Sequence, residues 1–174
     1  EKSHTNVFIN PRFDLTIPLT SKFELQFGFV KQTSVKSIID TYNGYILANY
    51  RSLRHNDSII PVEKLNNFKG SFAYKNPLKG LFIYFTGSYS ILQKNLLFSN
   101  VYNNTLTKTL AIQKWNNQYN ILLTGYLNKY FLNAKTNFSI IFVGGKLKSL
   151  QLLQNTETAI SSIRKEVKIK ISVN

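Results

Sequence analysis

The sequence contains no cysteine, only two histidines and very little acid in its central part. The absence of cysteine excludes a disulfide framework and thiolate metal sites. From Lys64 to Gln154 the chain carries eleven lysines and neither aspartate nor glutamate. The whole chain has 22 Lys and Arg against 8 Asp and Glu, a formal net charge of +14. Such a surface is either simply solvated or suited to nucleic acid, anionic lipid headgroups or an anionic solute.

Residue patterns of catalysis are also missing. His4 and His55 have no carboxylate cluster beside them; Asp57 alone is near His55, which we expect to be exposed. The sequence has no G-x-S-x-G motif and no dinucleotide fingerprint, and "GGK" at 144–146 lacks the other residues of a phosphate loop. The scattered acids form no recognisable pair for glycoside chemistry. We therefore predict no enzyme activity, no metal site and no cofactor.

Long apolar runs are absent too, and a strand pattern takes their place. The uncharged stretch from Gly80 to Gln93 is interrupted by Thr, Ser and Gly, so no membrane helix is predicted. Apolar residues instead alternate with polar ones, which is typical of strands. The alternating runs are Val7 to Ile17, Phe23 to Phe29, Phe68 to Tyr74, Leu81 to about Phe98, Tyr119 to Leu127, Phe138 to Phe142 and Ile163 to Val173. The pattern predicts an all-β chain of about seven strands.

The predicted connections are of two kinds. Short turns are expected near residues 18–22, 76–80 and 129–135, and a polar connection near 100–108. Between Val35 and Leu65 the alternation disappears, and this segment is predicted to be one long loop. Several runs extend towards 15 residues, longer than the strands of a soluble sandwich. Long strands with short turns on one side and long loops on the other are typical of outer-membrane barrels.

In the stretch "LFIYFTGSYSI", residues 81–91, the odd-numbered positions form an apolar face, and the opposite face carries the small hydroxyl residues Thr86, Ser88 and Ser90. A soluble sheet would show many charges on its polar face, whereas a barrel lumen tolerates Ser, Thr, Asn and Tyr. Aromatic residues near the turns suit either an interfacial girdle or ordinary cross-strand packing. We therefore predict an antiparallel up-and-down transmembrane β-barrel in which residues 1–174 are about seven strands of a larger barrel.

Two other functions are compatible with the composition. A soluble basic β-sheet protein would bind nucleic acid through lysines and stacked aromatics on one sheet face. A small complete outer-membrane barrel would act as an anchor or adhesin without transport. The first function predicts solubility without detergent and binding that weakens steeply with salt, and the second predicts a low strand count in the full gene product.

In its general pattern of residues, the chain resembles the C-terminal barrel portion of TonB-dependent outer-membrane receptors of the SusC-like type. The resemblance covers nearly the whole chain and is diffuse. It is carried by "RFDLTIPLTSKFELQFGF", "YNGYILANYRSL" and "SFAYKNPLKGLFIYFTGSYS". It implies a receptor in the bacterial outer membrane that takes part in active uptake of a scarce solute. The implied partners are the lipid bilayer and a periplasmic energy-coupling protein, with a surface lipoprotein left open and nucleic acid not expected.

The resemblance also gives the long loop a role. Segment 35–65 would lie outside the cell, where long loops capture the solute. Its candidate ligand or partner contacts are the tyrosines and arginines Tyr42, Tyr45, Tyr50, Arg51 and Arg54. The alternative is a solvated loop whose aromatic side chains pack on neighbouring loops.

Overall fold

The computed structural model describes residues 7–35, 42, 44–56, 60–102, 107–153 and 156–173. The chain is all-β: 85% of these residues are in strands. The strands are β1 (Arg12–Pro18), β2 (Phe23–Val35), β3 (Gly44–Asn49), β4 (Ser52–Asn56), β5 (Val62–Asn76), β6 (Leu81–Tyr102), β7 (Thr107–Phe131), β8 (Thr136–Leu153) and β9 (Thr156–Val173). No helix within the described ranges has the length and hydropathy of a membrane span.

The main part of the sheet is a row of antiparallel neighbours in the order β1-β2-β5-β6-β7-β8-β9. The predicted hairpin of β1 and β2 is confirmed, with Phe13 opposite Phe29 and Ile17 opposite Leu25. β2 skips the two short strands and pairs with β5 along its whole length, from Phe23 to Val35. Apolar residues therefore face the same side on strand after strand.

A tight turn joins β5 to β6. Pro77–Lys79 form one turn of 3₁₀-helix, and the Asn76 side chain accepts a hydrogen bond from the Lys79 backbone N–H at 3.2 Å. Gly80 ends the turn in the left-handed conformation, with φ 57°. A Cβ at this position would lie 2.9 Å from the Tyr130 carbonyl oxygen, so both the conformation and the space require glycine. We call this end of the sheet the turn side.

We call the opposite end of the sheet the loop side. There β6 pairs with both β7 and β8, and β7 also pairs with β4. A β-bulge between Lys94 and Leu96 breaks the regular pairing of β6 with β7. Beyond the bulge, the other edge of β6 makes a short parallel pairing with β8, in which Ser99 is opposite Leu152. Five buried side chains lie here, namely Asn95, Leu96, Leu97, Ser99 and Leu152, and they include three of the four buried apolar residues among those that the structure describes. The chain therefore has its small packed core on the loop side.

Polar side chains fix the bulge. Asn116 donates a hydrogen bond from Nδ2 to the Leu96 carbonyl oxygen at 2.8 Å. Asn95 accepts from the Val62 backbone N–H at 2.8 Å and donates to the Ile60 carbonyl oxygen at 3.0 Å. These amides satisfy backbone groups that the interrupted ladder would otherwise leave buried without partners.

The structure differs from the predicted architecture in several respects. The sheet has nine strands within the described residues instead of about seven, and it is mixed and not closed. Segment 35–65 contains the hairpin of β3 and β4 and the start of β5, and β4 pairs with β7 in parallel. A purely antiparallel up-and-down order was therefore wrong for the loop side, because the bulge and the inserted hairpin bring distant strand ends together. β9 also begins earlier than predicted, at Thr156 instead of near Ile163, since polar residues continue its ladder with β8.

Candidate functional site

One face of the sheet is apolar across all seven long neighbouring strands. In register, Ile17, Leu25, Phe72, Phe85, Gly125, Phe142 and Val167 form one continuous cross-strand row. The next row towards the turn side contains Phe23, Tyr74, Ile83, Leu127, Ile140 and Ile169. No charged residue interrupts either row. We call this surface the apolar face.

The apolar face is not covered by a second layer of the described chain. Phe85, in the middle strand, keeps 43% of its surface exposed, and Phe27 and Phe68 each keep 48%. A shallow groove of about 580 Å³ runs over Gly70 and Gly87, where two neighbouring strands lack side chains. A soluble sheet normally buries one face against another layer, and the described residues provide no such layer for this surface.

The height of the apolar face can be measured along β6. Its uncharged alternation runs from Leu81 to Ile91, eleven residues. At about 3.3 Å per residue this is about 36 Å along the strand, or about 25 Å for a strand tilted by 45°. A barrel strand crosses a bilayer with about 9–11 residues, and the lipid-facing band is about 25 Å tall. At the tilt of a barrel strand, the uncharged segment of β6 has the height of a bilayer core.

The opposite surface, which we call the polar face, carries hydroxyls, amides and paired charges. One row contains Thr16, Gln26, Ser71, Thr86, Thr124, Val143 and Glu166. Arg164 and Lys168 both bind Glu166, each at 2.6 Å. Lys75 lies 3.8 Å from Glu24. The polar face therefore carries both signs of charge.

The predicted contact residues lie on and around the hairpin of β3 and β4, which we call the loop-side hairpin. This hairpin is attached to the sheet through β4, where Arg54 is in parallel register with Thr109 of β7. The Thr107 backbone N–H also donates to the Arg51 carbonyl oxygen at 2.7 Å. Backbone pairing therefore places the hairpin against the loop-side end of β7.

Tyr45 is the predicted contact with the richest surroundings. Its ring stacks on that of His55, with centroids 4.2 Å apart and planes inclined by 13°. Lys108 donates from Nζ to the Tyr45 hydroxyl at 2.9 Å, and the same ammonium lies 5.0 Å from the ring centroid. The half-buried position of His55 differs from its expected exposure. The Lys108 ammonium therefore binds both the hydroxyl and the ring of Tyr45, an interaction of the cation–π type.

The other four predicted residues do not join this cluster. Arg54 places its guanidinium 4.6 Å from the Phe98 ring centroid, and in register it belongs to the other face of the hairpin. Tyr50 and Arg51 form the hairpin turn, where Tyr50 is 83% exposed. Tyr42 is exposed and lies against the backbone of Gly44. The structure therefore brings Tyr45 together with residues that were not predicted and separates it from Arg54.

Sequence reasoning missed Lys108, His55 and Phe98 as members of this site. Lys108 is 63 residues from Tyr45 in the chain and lies in a segment predicted to be a polar connection. Only the pairing of β4 with β7 brings the two together. The sequence signal that was available is the alternation "TKTLAIQ" at 107–113, which continues β7 towards the loop side.

No match was found when the chain was compared with protein-family models, with curated proteins and with solved structures. Among the side chains that the structure describes, no group of three or more His, Cys, Asp or Glu is placed to hold a metal ion. The functional argument therefore depends on the two sheet faces and on the loop-side hairpin.

Proposed function

We propose that this chain forms part of the wall of an outer-membrane β-barrel. Its apolar face contacts lipid and its polar face lines the lumen. The main observation that supports this proposal is the apolar face. It has rows without charge across seven strands and an uncharged segment of eleven residues on β6. Its large side chains are exposed. Lipid hydrocarbon supplies the apolar environment that a second protein layer supplies in soluble proteins.

The connections and the polar face support the same proposal. The connections on the turn side are short, at 19–22, 77–80 and 132–135, and the long connection between β2 and β5 lies at the other end. Only four residues separate β6 from β7 and two separate β8 from β9, so the predicted contrast in length depends on the connection between β2 and β5 alone. β6 and β7 continue for many residues beyond the apolar face on the loop side. The hydroxyls, amides and compensated charges of the polar face suit a water-filled lumen.

The proposal requires a closed barrel. An open sheet edge in lipid would leave backbone N–H and C=O groups without partners, each at a cost of several kcal/mol. The outer edges of β1 and β9 are therefore joined in the membrane, to each other or through further strands. The parallel pairings of the loop side lie beyond the apolar face and do not interrupt its antiparallel ladder.

We further propose that the barrel is a TonB-dependent receptor for active uptake of a scarce solute. The support is the resemblance carried by residues 12–29, 42–53 and 71–90, together with the stacked Tyr45–His55 pair beside Lys108 on the loop side. In this role the loop-side hairpin contacts the solute outside the cell, and a periplasmic energy-coupling protein acts from the turn side. A surface lipoprotein partner would bind on the loop side.

Single-cysteine labelling tests the wall assignment directly, because the chain has no native cysteine. Phe85→Cys and its neighbour Thr86→Cys place a fluorescent label at the same height on opposite faces. In vesicles, a nitroxide on the lipid acyl chains should quench the label at Phe85 and spare the label at Thr86. A water-soluble quencher should show the reverse order.

Equal quenching at the two positions would contradict the wall assignment. A protein that stays soluble without detergent and binds nucleic acid with a steep salt dependence would support the soluble alternative. That alternative leaves the apolar face of seven strands without a role. Uptake itself is tested in cells by comparing solute accumulation with and without Tyr45→Ala, at equal amounts of folded protein.

A further inference from the structure

Four lysines lie on the apolar face towards its loop-side end, Lys31 on β2 and three on the neighbouring strands β8 and β9. On β8, Lys146 and Lys148 lie on the same face as Phe142 and Gly144, closer to the loop side. On β9, Lys165 lies one row closer to the loop side than Val167. Lys165 is opposite Gly144 and Lys146 is opposite Ile163, so Lys146 and Lys165 are diagonal neighbours, about 7–8 Å apart. The three lysines of β8 and β9 are exposed. We call them the lysine cluster.

The lysine cluster differs in charge balance from the other face of the same strand. Arg164 and Lys168 share the carboxylate of Glu166 on the polar face. Lys165 lies between them in sequence but belongs to the apolar face, and among the described residues no carboxylate pairs with it or with the other two lysines. An anion from outside the chain would therefore be the partner of the cluster.

The surroundings of the cluster form a small depression. Lys146 and Lys148 line it together with Tyr89, Tyr119 and Ile121, and its volume is about 380 Å³. Tyrosine is enriched where a membrane protein crosses the headgroup region. The first row towards the turn side without a lysine is apolar and contains Phe85, Phe142 and Val167. The depression thus has cations and phenols on one side and an apolar surface on the other.

We propose that the lysine cluster binds the phosphate of a lipid headgroup in the membrane leaflet on the loop side. The inference rests on the proposed membrane wall, which it deepens by naming a lipid class and a site. The ammonium groups contact the phosphate, the tyrosines lie at headgroup level, and the acyl chains lie over the apolar rows. A headgroup lipid fits better than a free anion because cations and apolar surface are contiguous here.

The test uses the full chain and its single tryptophan, Trp115, as an energy-transfer donor. Vesicles of zwitterionic lipid contain a trace of dansyl-labelled phosphatidic acid, and unlabelled phosphatidic acid competes for the site. We expect preferential transfer to the phosphomonoester lipid over a dansyl-labelled zwitterionic lipid. Replacing Lys146, Lys148 and Lys165 by Gln together should weaken this binding about 100-fold, or about fivefold per lysine.

The matched control replaces three lysines of the polar face, Lys69, Lys168 and Lys170, by Gln. It removes the same charge and should keep the lipid preference of the unchanged chain. Equal losses in the two triple variants would overturn the site, since binding would then depend on net charge. Absence of any preference in the unchanged chain would also overturn it, and displacement by millimolar inorganic phosphate would overturn the assignment to a lipid.

Flotation with purely zwitterionic vesicles separates this inference from the proposed function. If the unchanged chain floats and shows no phosphate preference, the lysine cluster is refuted and the wall assignment stands. If the unchanged chain does not float, the wall assignment fails and the inference fails with it. Equal flotation of both triple variants shows that each is folded and inserted.

Discussion

The turn side and the loop side of this sheet differ in how far their apolar side chains are buried. On the turn side the strands form one layer, and Phe85 keeps 43% of its surface exposed. On the loop side the strand ends fold together, and Leu96 and Leu97 each keep only 4%. The same chain therefore buries its apolar groups against itself at one end and leaves them exposed at the other.

The difference shows that the exposed apolar face is not explained by a sequence unable to form a core. Where the bulge at Lys94–Leu96 bends β6, the chain packs leucines and satisfies buried polar groups with Asn95 and Asn116. Where the strands stay regular, rows of phenylalanine and isoleucine remain uncovered. Under our proposal, water and protein surround the loop side, and hydrocarbon contacts only the apolar face of the regular strands.

The largest effect is expected from the loop-side core. Leu97→Ala should lower the free energy of unfolding by about 2–5 kcal/mol, because it removes buried methyl groups and leaves a cavity. Leu78→Ala is the control, since Leu78 is 87% exposed in the turn. Urea unfolding followed by Trp115 fluorescence measures both variants. Equal, small effects would show that the loop side is not the packed part of the chain.

The second prediction concerns the apolar face. Phe85→Lys should lower the free energy of unfolding in vesicles by about 2–4 kcal/mol, the cost of a cation facing lipid near the bilayer midplane. Thr86→Lys, at the same height on the polar face, should cost less than about 1 kcal/mol. Unfolding from lipid vesicles provides the measurement. If the two substitutions lower the free energy of unfolding equally, the two faces are not in contact with different surroundings, and the prediction is wrong.

The third prediction tests the turn that keeps the turn side regular. Gly80→Ala should lower the free energy of unfolding by at least about 1–2 kcal/mol, because alanine is strained at positive φ and its Cβ would approach the Tyr130 carbonyl. Gly70→Ala is the matched control, since the nearest atom to its added Cβ is 4.0 Å away, on Phe27. Thermal unfolding compares the two variants, and the prediction fails if Gly70→Ala proves equally harmful.

The smallest effect is expected at the loop-side hairpin. Tyr45→Ala removes the stack on His55 and should raise amide exchange in β3 and β4 about 2- to 10-fold, corresponding to about 0.5–1.5 kcal/mol. Tyr45→Phe keeps the ring and loses only the hydrogen bond from Lys108, so its effect should be smaller. Hydrogen exchange read by mass spectrometry measures both. If Tyr45→Phe raised amide exchange more than Tyr45→Ala, the hydrogen bond from Lys108 to the hydroxyl, and not the ring stack, would stabilise the hairpin.

Much of the turn side could be predicted from the sequence because its signals are local. The alternation of Phe23, Leu25 and Phe27 with Glu24 and Gln26 assigns both faces of β2, and the register confirms that assignment. The motif "NPLKG" predicts the turn that ends at Gly80. Each of these features is determined by residues close together in the chain, through strand periodicity or turn chemistry.

The loop side could not be predicted in the same way because its contacts join distant residues. Nothing local marks the bulge after Lys94, and that bulge decides that β6 meets β8 in parallel. Tyr45 was predicted as a contact from its residue type and loop position, whereas its partner Lys108 depends on the pairing of β4 with β7. The five candidate contacts were predicted as residues of one long loop, and neither the hairpin of β3 and β4 nor the grouping of their side chains could be predicted without the fold.

The length of β6 beyond the apolar face has a consequence for how such a protein diversifies. From Ile91 to Tyr102 the strand continues for eleven more residues, about 36 Å along its path. Tyr45 and Lys108 lie beside this extension, far from the uncharged rows of the apolar face. Under the proposed function, substitutions at this end would change which solute is bound without changing the residues that contact lipid.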